Sequence, residues 1–160
     1  KEKIKNYVAN LENKIIIYIA DLQDKISNPQ KNVLVNVPLT INELAKKNYV
    51  LIITQIPPFP VNVSNRILNN VELNEVKYPS FEWNQNEKKL QLYSMYKSLS
   101  NHENIFVIDT FQIFCEDIQK GYCVGAENNS IFIYDDNHPS DKGAQLIIEE
   151  IEAVVSILNK

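Results

Sequence analysis

Apolar positions along the chain switch repeatedly between a helical period and short continuous runs. Ile4, Tyr7, Val8 and Leu11 recur at helical spacing and predict a short amphipathic helix over residues 3–13. Residues 14–21, KIIIYIAD, are dense in β-branched and aromatic side chains and predict a buried strand. Residues 27–37 read as loop. Thr40 followed by Glu43 has the pattern of a capping box and predicts a helix running through Lys47. YVLIITQI, residues 49–56, is apolar on both faces, as a strand of a covered parallel sheet must be. Residues 57–85 are rich in Pro and Asn and read as a long loop, of the length that often serves as a lid or binding edge. Leu92, Met95, Tyr96 and Leu99 place a helix over 86–100, and NIFVID, 104–109, reads as a third strand. A loop carrying both cysteines and a short strand, SIFIYD at 130–135, follow. Ser140 then caps a last helix whose stripe is Ala144, Ile147, Ile148, Ile151, Val154, Val155 and Leu158.

Helices alternating with apolar strands predict an α/β fold: a three-layer, flavodoxin-like parallel sheet with helices on both faces. At 160 residues and 44% hydrophobic the chain fits one ordinary domain. The net charge of -4, with Arg66 the single arginine against fifteen lysines, disfavours a nucleic-acid partner. The longest apolar runs are too short to span a bilayer. Gly121, Gly125 and Gly143 assemble neither a P-loop nor a dinucleotide fingerprint. The abundance of Asn and Ile reads as an AT-rich genome rather than a functional tract. The first residue is Lys1, so the chain reads as a fragment or an excised domain, and no signal peptide is visible.

Two histidines are available for chemistry. His102, in SNHEN at the end of a helix, reads as a solvated surface residue. His138 lies in YDDNHPSDKGAQLI, after a strand and before a capped helix, where ligands bind in open α/β sheets. Asp135, three residues earlier, can orient its Nδ1–H and leave the other nitrogen as a base. The plain alternative is that Asp135 and Asp136 are turn residues and His138 packs beside Pro139. A metal site on Asp135, Asp136 and His138 is a third reading, disfavoured because three ligands within four residues rarely suit one metal. Cys115 and Cys123 lack C-x-x-C spacing; they are either a disulfide pair or two unrelated buried thiols.

The block YDDNHPSDKGAQLI resembles the last conserved block of SGNH hydrolases, whose D-x-x-H motif supplies the acid and base of a Ser-His-Asp triad. It is most similar to the SGNH domain fused behind bacterial acyltransferase-3 membrane domains, with Pro139 where that family most often has leucine. YVLIITQIPPFP, VIDTFQIFCEDIQKGYCV and IIIYIADLQDK match further segments, so the resemblance runs from about residue 14 onward. It implies Asp135 as triad acid and His138 as triad base, no role for Asp136 and Asn137, and Ser140 as helix cap. It implies a Cys115–Cys123 disulfide and an extracytoplasmic compartment, periplasm or cell surface.

The family nucleophile lies in a Gly-Asp-Ser motif after the first strand, and none of the nine serines here follows Gly-Asp. The oxyanion Gly and Asn are missing too. The resemblance therefore implies that residues 1–160 are the C-terminal portion of a single SGNH-type domain with its N-terminal strand or strands missing. Its sheet would then present unpaired backbone edges and apolar faces. The implied function is a serine esterase or O-acyltransferase moving acyl groups, acetyl first among them, to or from cell-envelope glycans such as lipopolysaccharide or peptidoglycan. Its implied partners are the glycan acceptor and an upstream acyltransferase-3 domain that tethers it to the membrane; no metal or cofactor is implied. The rival is a catalytically inactive SGNH-like binding or scaffold domain, and a cytosolic flavodoxin-like module with free thiols is a third reading.

Overall fold

A computed structural model describes residues 10–20, 22, 32–69, 75–79, 87–115 and 121–159. Among the described residues, eleven elements follow in chain order: β1 (Ile15–Ile19), α1 (Val33–Ala45), β2 (Tyr49–Ile53), α2 (Val63–Leu68), β3 (Val76–Pro79), α3 (Glu87–Leu99), β4 (Ile105–Ile108), α4 (Thr110–Phe114), β5 (Tyr122–Glu127), β6 (Ser130–Ile131) and α5 (Asp141–Leu158). The fold is α/β with a parallel sheet, as the alternation predicts. Contacts divide the chain into two units: residues 1–54 with 87–107, and residues 55–86 with 108–160.

The first unit holds a sheet in the order β1-β2-β4, with β1 parallel to β2 from Ile15 beside Tyr49 to Ile19 beside Ile53. One face carries Tyr18, Val50 and Ile52 and packs on α1 and α3 through Ile41, Ala45, Leu92, Met95 and Leu99. Burial of these aliphatic side chains, worth about 1.5–3 kcal/mol each, holds the helices to the strands. Asn48 is buried and fully used: its Nδ2 donates to the carbonyls of Leu11 and Leu44, and its Oδ1 accepts the Lys14 N–H. Among the described strands β1 lies at the edge, and on its other face Ile15, Ile17 and Ile19 are exposed, Ile19 by 70%. An uncharged edge with apolar side chains in solvent is the feature that proteins ordinarily cover or blunt.

α1 departs from the sequence reading. It begins at Val33, inside the expected loop, and continues through Pro38. Val33, Val37, Ile41 and Ala45 recur every four residues and turn one stripe to the core, and that burial outweighs the proline. Thr40 is not a cap: its hydroxyl donates back to the Asn36 carbonyl at 2.8 Å, the bond a mid-helix threonine makes with residue i−4. Of the helix expected over 3–13, residues 1–9 lie outside the described residues and Asn10–Asn13 are not helical. Asn13 instead turns left-handed at φ 56°.

The second unit holds an antiparallel sheet, β3-β5-β6, of which the sequence announced only β6, the first two residues of the strand expected over 130–135. Its β3 and the short helix α2 both fall in the segment read as loop, too brief to carry a period. β5 and β6 are joined by Asn128 and Asn129, at φ 50° and 60°, the two positive values that a type I′ hairpin turn requires. Every described non-glycine residue with positive φ is asparagine, and no described glycine has positive φ. In this glycine-poor chain asparagine therefore does part of glycine's conformational work. Cys115 follows α4 and Cys123 lies within β5, rather than both in a loop, and they form a disulfide.

α5 starts where expected, with Ser140 Oγ accepting the Gly143 N–H. A Cβ on Gly143 would stand 2.0 Å from the Phe132 carbonyl oxygen, so only glycine lets the helix approach that backbone. A Cβ on Gly125 would meet side-chain atoms of the buried Val63 at 2.8 Å and Phe59 at 3.0 Å, a looser clash and with side chains instead of backbone.

Urea unfolding should therefore show Gly143→Ala losing about 2–3 kcal/mol despite its better helix propensity, and Gly125→Ala losing less. Equal or opposite losses would refute the close-approach explanation. Replacing both cysteines by serine should cost about 2–3 kcal/mol, the loop-closure value for a ring this short. An unchanged denaturation midpoint would contradict it.

Candidate active site

The site lies in the second unit, on the turn between β6 and α5. Ile133 and Pro139 pair as an antiparallel bridge, so residues 134–138 close a tight loop. Asp135 organises it. Its Oδ1 accepts the N–H groups of Asn137 at 3.0 Å and His138 at 2.9 Å, and its Oδ2 lies 2.8 Å from His138 Nδ1. This is the spacing an Asx turn imposes: a short carboxylate reaches backbone donors two and three residues ahead.

The carbonyls of the loop are held from outside it. Phe59 N–H donates to Asp136 at 2.7 Å, Val63 N–H to Asp135 at 2.9 Å and Ser64 N–H to Tyr134 at 3.0 Å. Val63 and Ser64 are the first residues of α2, whose N–H groups have no partner within the helix. The segment that follows β2 thus fixes the backbone of the Asp-His turn at three successive carbonyls. No periodicity announces these donors, because any residue but proline supplies an N–H.

The Asn137 N–H above all, aided by the N–H and the imidazole of His138, holds the Asp135 carboxyl well below the usual carboxylate range against the opposing effect of desolvation. An ionised carboxylate only accepts, so the proton between the pair sits on His138 Nδ1. In the neutral imidazole Nε2 then carries the free lone pair. The His138 side chain is 73% exposed, and among the described residues no side chain is hydrogen-bonded to Nε2. The pair has the chemistry of a general base with an orienting acid.

The described serines are otherwise engaged or distant in the chain. Ser64 is 8% exposed and its hydroxyl donates to the Tyr134 carbonyl. Ser140 caps α5 and donates to the Ile131 carbonyl. Ser130 accepts from Lys142. Asp21, at the end of the first predicted strand, lies outside the described residues. His102 is half-buried rather than simply solvated: its Nδ1 accepts the Asn104 N–H at 3.2 Å and shapes the turn into β4. Among the described residues no three His, Cys, Asp or Glu side chains group as metal ligands, and no helix is long and apolar enough to cross a membrane.

The lowered Asp135 value fixes the sign of a pH effect. Its contribution to stability is complete above about pH 4, where an unfolded-chain carboxyl is ionised, and fades as the pH falls below that. Comparison of the chain with Asp135→Asn by denaturant unfolding should show their difference shrinking as the pH falls from about 4 to about 2.5. A difference that grows over that range would contradict the assignment of the bonds to the ionised carboxylate.

Comparisons with known proteins bear on the family and the fold. No curated protein sequence matches the chain. A solved structure, the periplasmic domain of a lipopolysaccharide acetyltransferase from Salmonella ser. Paratyphi A, superposes with a TM-score of 0.62 at 14% identity. The match takes in 96% of this chain and 61% of that one, so the chain spans under two thirds of its structural relative. At that identity the likeness is one of fold. The family model for the SGNH domain fused to AT3 domains matches residues 2–153, and the chain belongs to that family.

Proposed function

We propose that this chain is the C-terminal portion of an SGNH domain that transfers acyl groups, acetyl first among them, to cell-envelope glycans. The observation that carries the reading is the 2.8 Å contact of Asp135 Oδ2 with His138 Nδ1, which leaves Nε2 open to solvent. Family membership supports an upstream AT3 membrane domain as its partner and source of acyl groups. The relative's own activity, on lipopolysaccharide, supports a glycan acceptor. The Cys115–Cys123 bond and the periplasmic relative support an extracytoplasmic location, since disulfides persist where thiols are not kept reduced.

In this reading a serine from outside residues 1–160 attacks the acyl carbonyl while His138 Nε2 takes its proton. The leaving group departs with that proton, and the acyl group is left on the serine. His138 then accepts the proton of an acceptor hydroxyl as its oxygen attacks the acyl carbon; the serine–acyl bond breaks and the serine recovers a proton. Asp135 keeps Nδ1 protonated throughout and stabilises the imidazolium between transfers. Neither step calls for a metal or cofactor.

The test is acyl transfer by the full natural protein. His138→Ala should lose several orders of magnitude, and Asp135→Asn about 10⁴, because the amide cannot hold the same tautomer. Both variants should keep the fold, which circular dichroism checks. Residues 1–160 alone should not hydrolyse an activated acetyl ester above background. Full activity in His138→Ala would leave the inactive scaffold reading in its place.

A further inference from the structure

The bridge between Ile133 and Pro139 sets a register. The flanking bonds run from Tyr134 N–H to the His138 carbonyl at 2.8 Å and from Ser140 N–H to the Phe132 carbonyl at 2.9 Å. Tyr134 is therefore directly opposite His138. Directly opposed residues of an antiparallel pair send their side chains to the same face, with Cβ atoms about 4.5–5.5 Å apart. Ile133 is wholly buried, and the alternation turns Tyr134 outward, where it is 62% exposed. The phenol ring and the imidazole thus share one solvent-facing surface. The backbone under the ring is fixed, since the Tyr134 carbonyl takes both the N–H and the hydroxyl of Ser64.

An exposed aromatic ring on a rigid turn, beside an open base, has a definite chemical use. Its face carries negative quadrupole charge and attracts the weakly positive C–H groups of an apolar surface, while the hydroxyl at its tip stays wet. A pyranose presents such a C–H face, with its hydroxyls pointing around the rim. Asp135 and the exposed Asp136 make the turn acidic, which favours a neutral sugar over an anionic one.

We propose that Tyr134 is the platform on which a neutral pyranose of the acceptor stacks, bringing one of its hydroxyls to His138 Nε2. The inference rests on the acyl-transfer reading and names the acceptor class of that same site. The step is the second one above: the acceptor oxygen bonds to the acyl carbon, its proton passes to Nε2, the bond to the serine breaks and the serine takes the proton.

The experiment compares two acceptors in the full natural protein, a methyl hexopyranoside and glycerol, which has hydroxyls but no ring. Tyr134→Ala should lower the preference for the pyranoside, as the ratio of kcat/KM values, about tenfold and mainly through KM. Tyr134→Phe, which keeps the ring, should restore most of that preference. If His138→Ala abolishes transfer to both acceptors while Tyr134→Ala leaves the ratio unchanged, the platform is refuted and the acyl-transfer reading survives. If His138→Ala transfers normally, the acyl-transfer reading fails and the platform with it.

Discussion

One carboxylate makes the site. Asp135 spends one oxygen on the N–H groups of Asn137 and His138 and the other on the imidazole, so the group that shapes the turn also orients the base. The two tasks require the same charge. A neutral side chain would bond the turn more weakly and would not dictate which imidazole nitrogen holds the proton. This economy explains why two residues three apart can form a defined acid–base pair on an exposed loop, where a separate partner would need a rigid element of its own.

The turn is rigid because neighbours outside it are committed to it. Three N–H groups from residues 59–64 take three consecutive carbonyls, and α5 abuts the Phe132 backbone at a distance only Gly143 permits. The disulfide between the end of α4 and β5 ties a further part of the same unit. The three N–H to carbonyl bonds are backbone interactions, indifferent to most side chains at 59, 63 and 64, whereas the glycine and the two cysteines are each required as such.

That division governs what could be read from the residues. β2 was legible as a continuous apolar run, the long helix α5 by the helical period of its apolar stripe, and Ser140 as a cap because its chemistry is local. The Asp135–His138 pair was legible because both partners lie within one turn. The start of α1 was not, because a core stripe outweighed Pro38 and turned the apparent capping threonine into a helix-interior residue. α2 and β3 were missed because six and four residues are too few to carry a period. The donors beneath the loop were missed because a backbone N–H leaves no signature. The opposition of Tyr134 and His138 follows from a bridge register, which no spacing in the chain reveals.

The central claim is that the ionised Asp135 fixes the proton on His138 Nδ1 and leaves Nε2 as the base. Long-range ¹H–¹⁵N correlation spectra of the imidazole read that tautomer directly. The account predicts the Nδ1–H form for neutral His138, with that preference lost in Asp135→Asn. A neutral imidazole protonated at Nε2, with a bare Nδ1 facing Asp135, would contradict it.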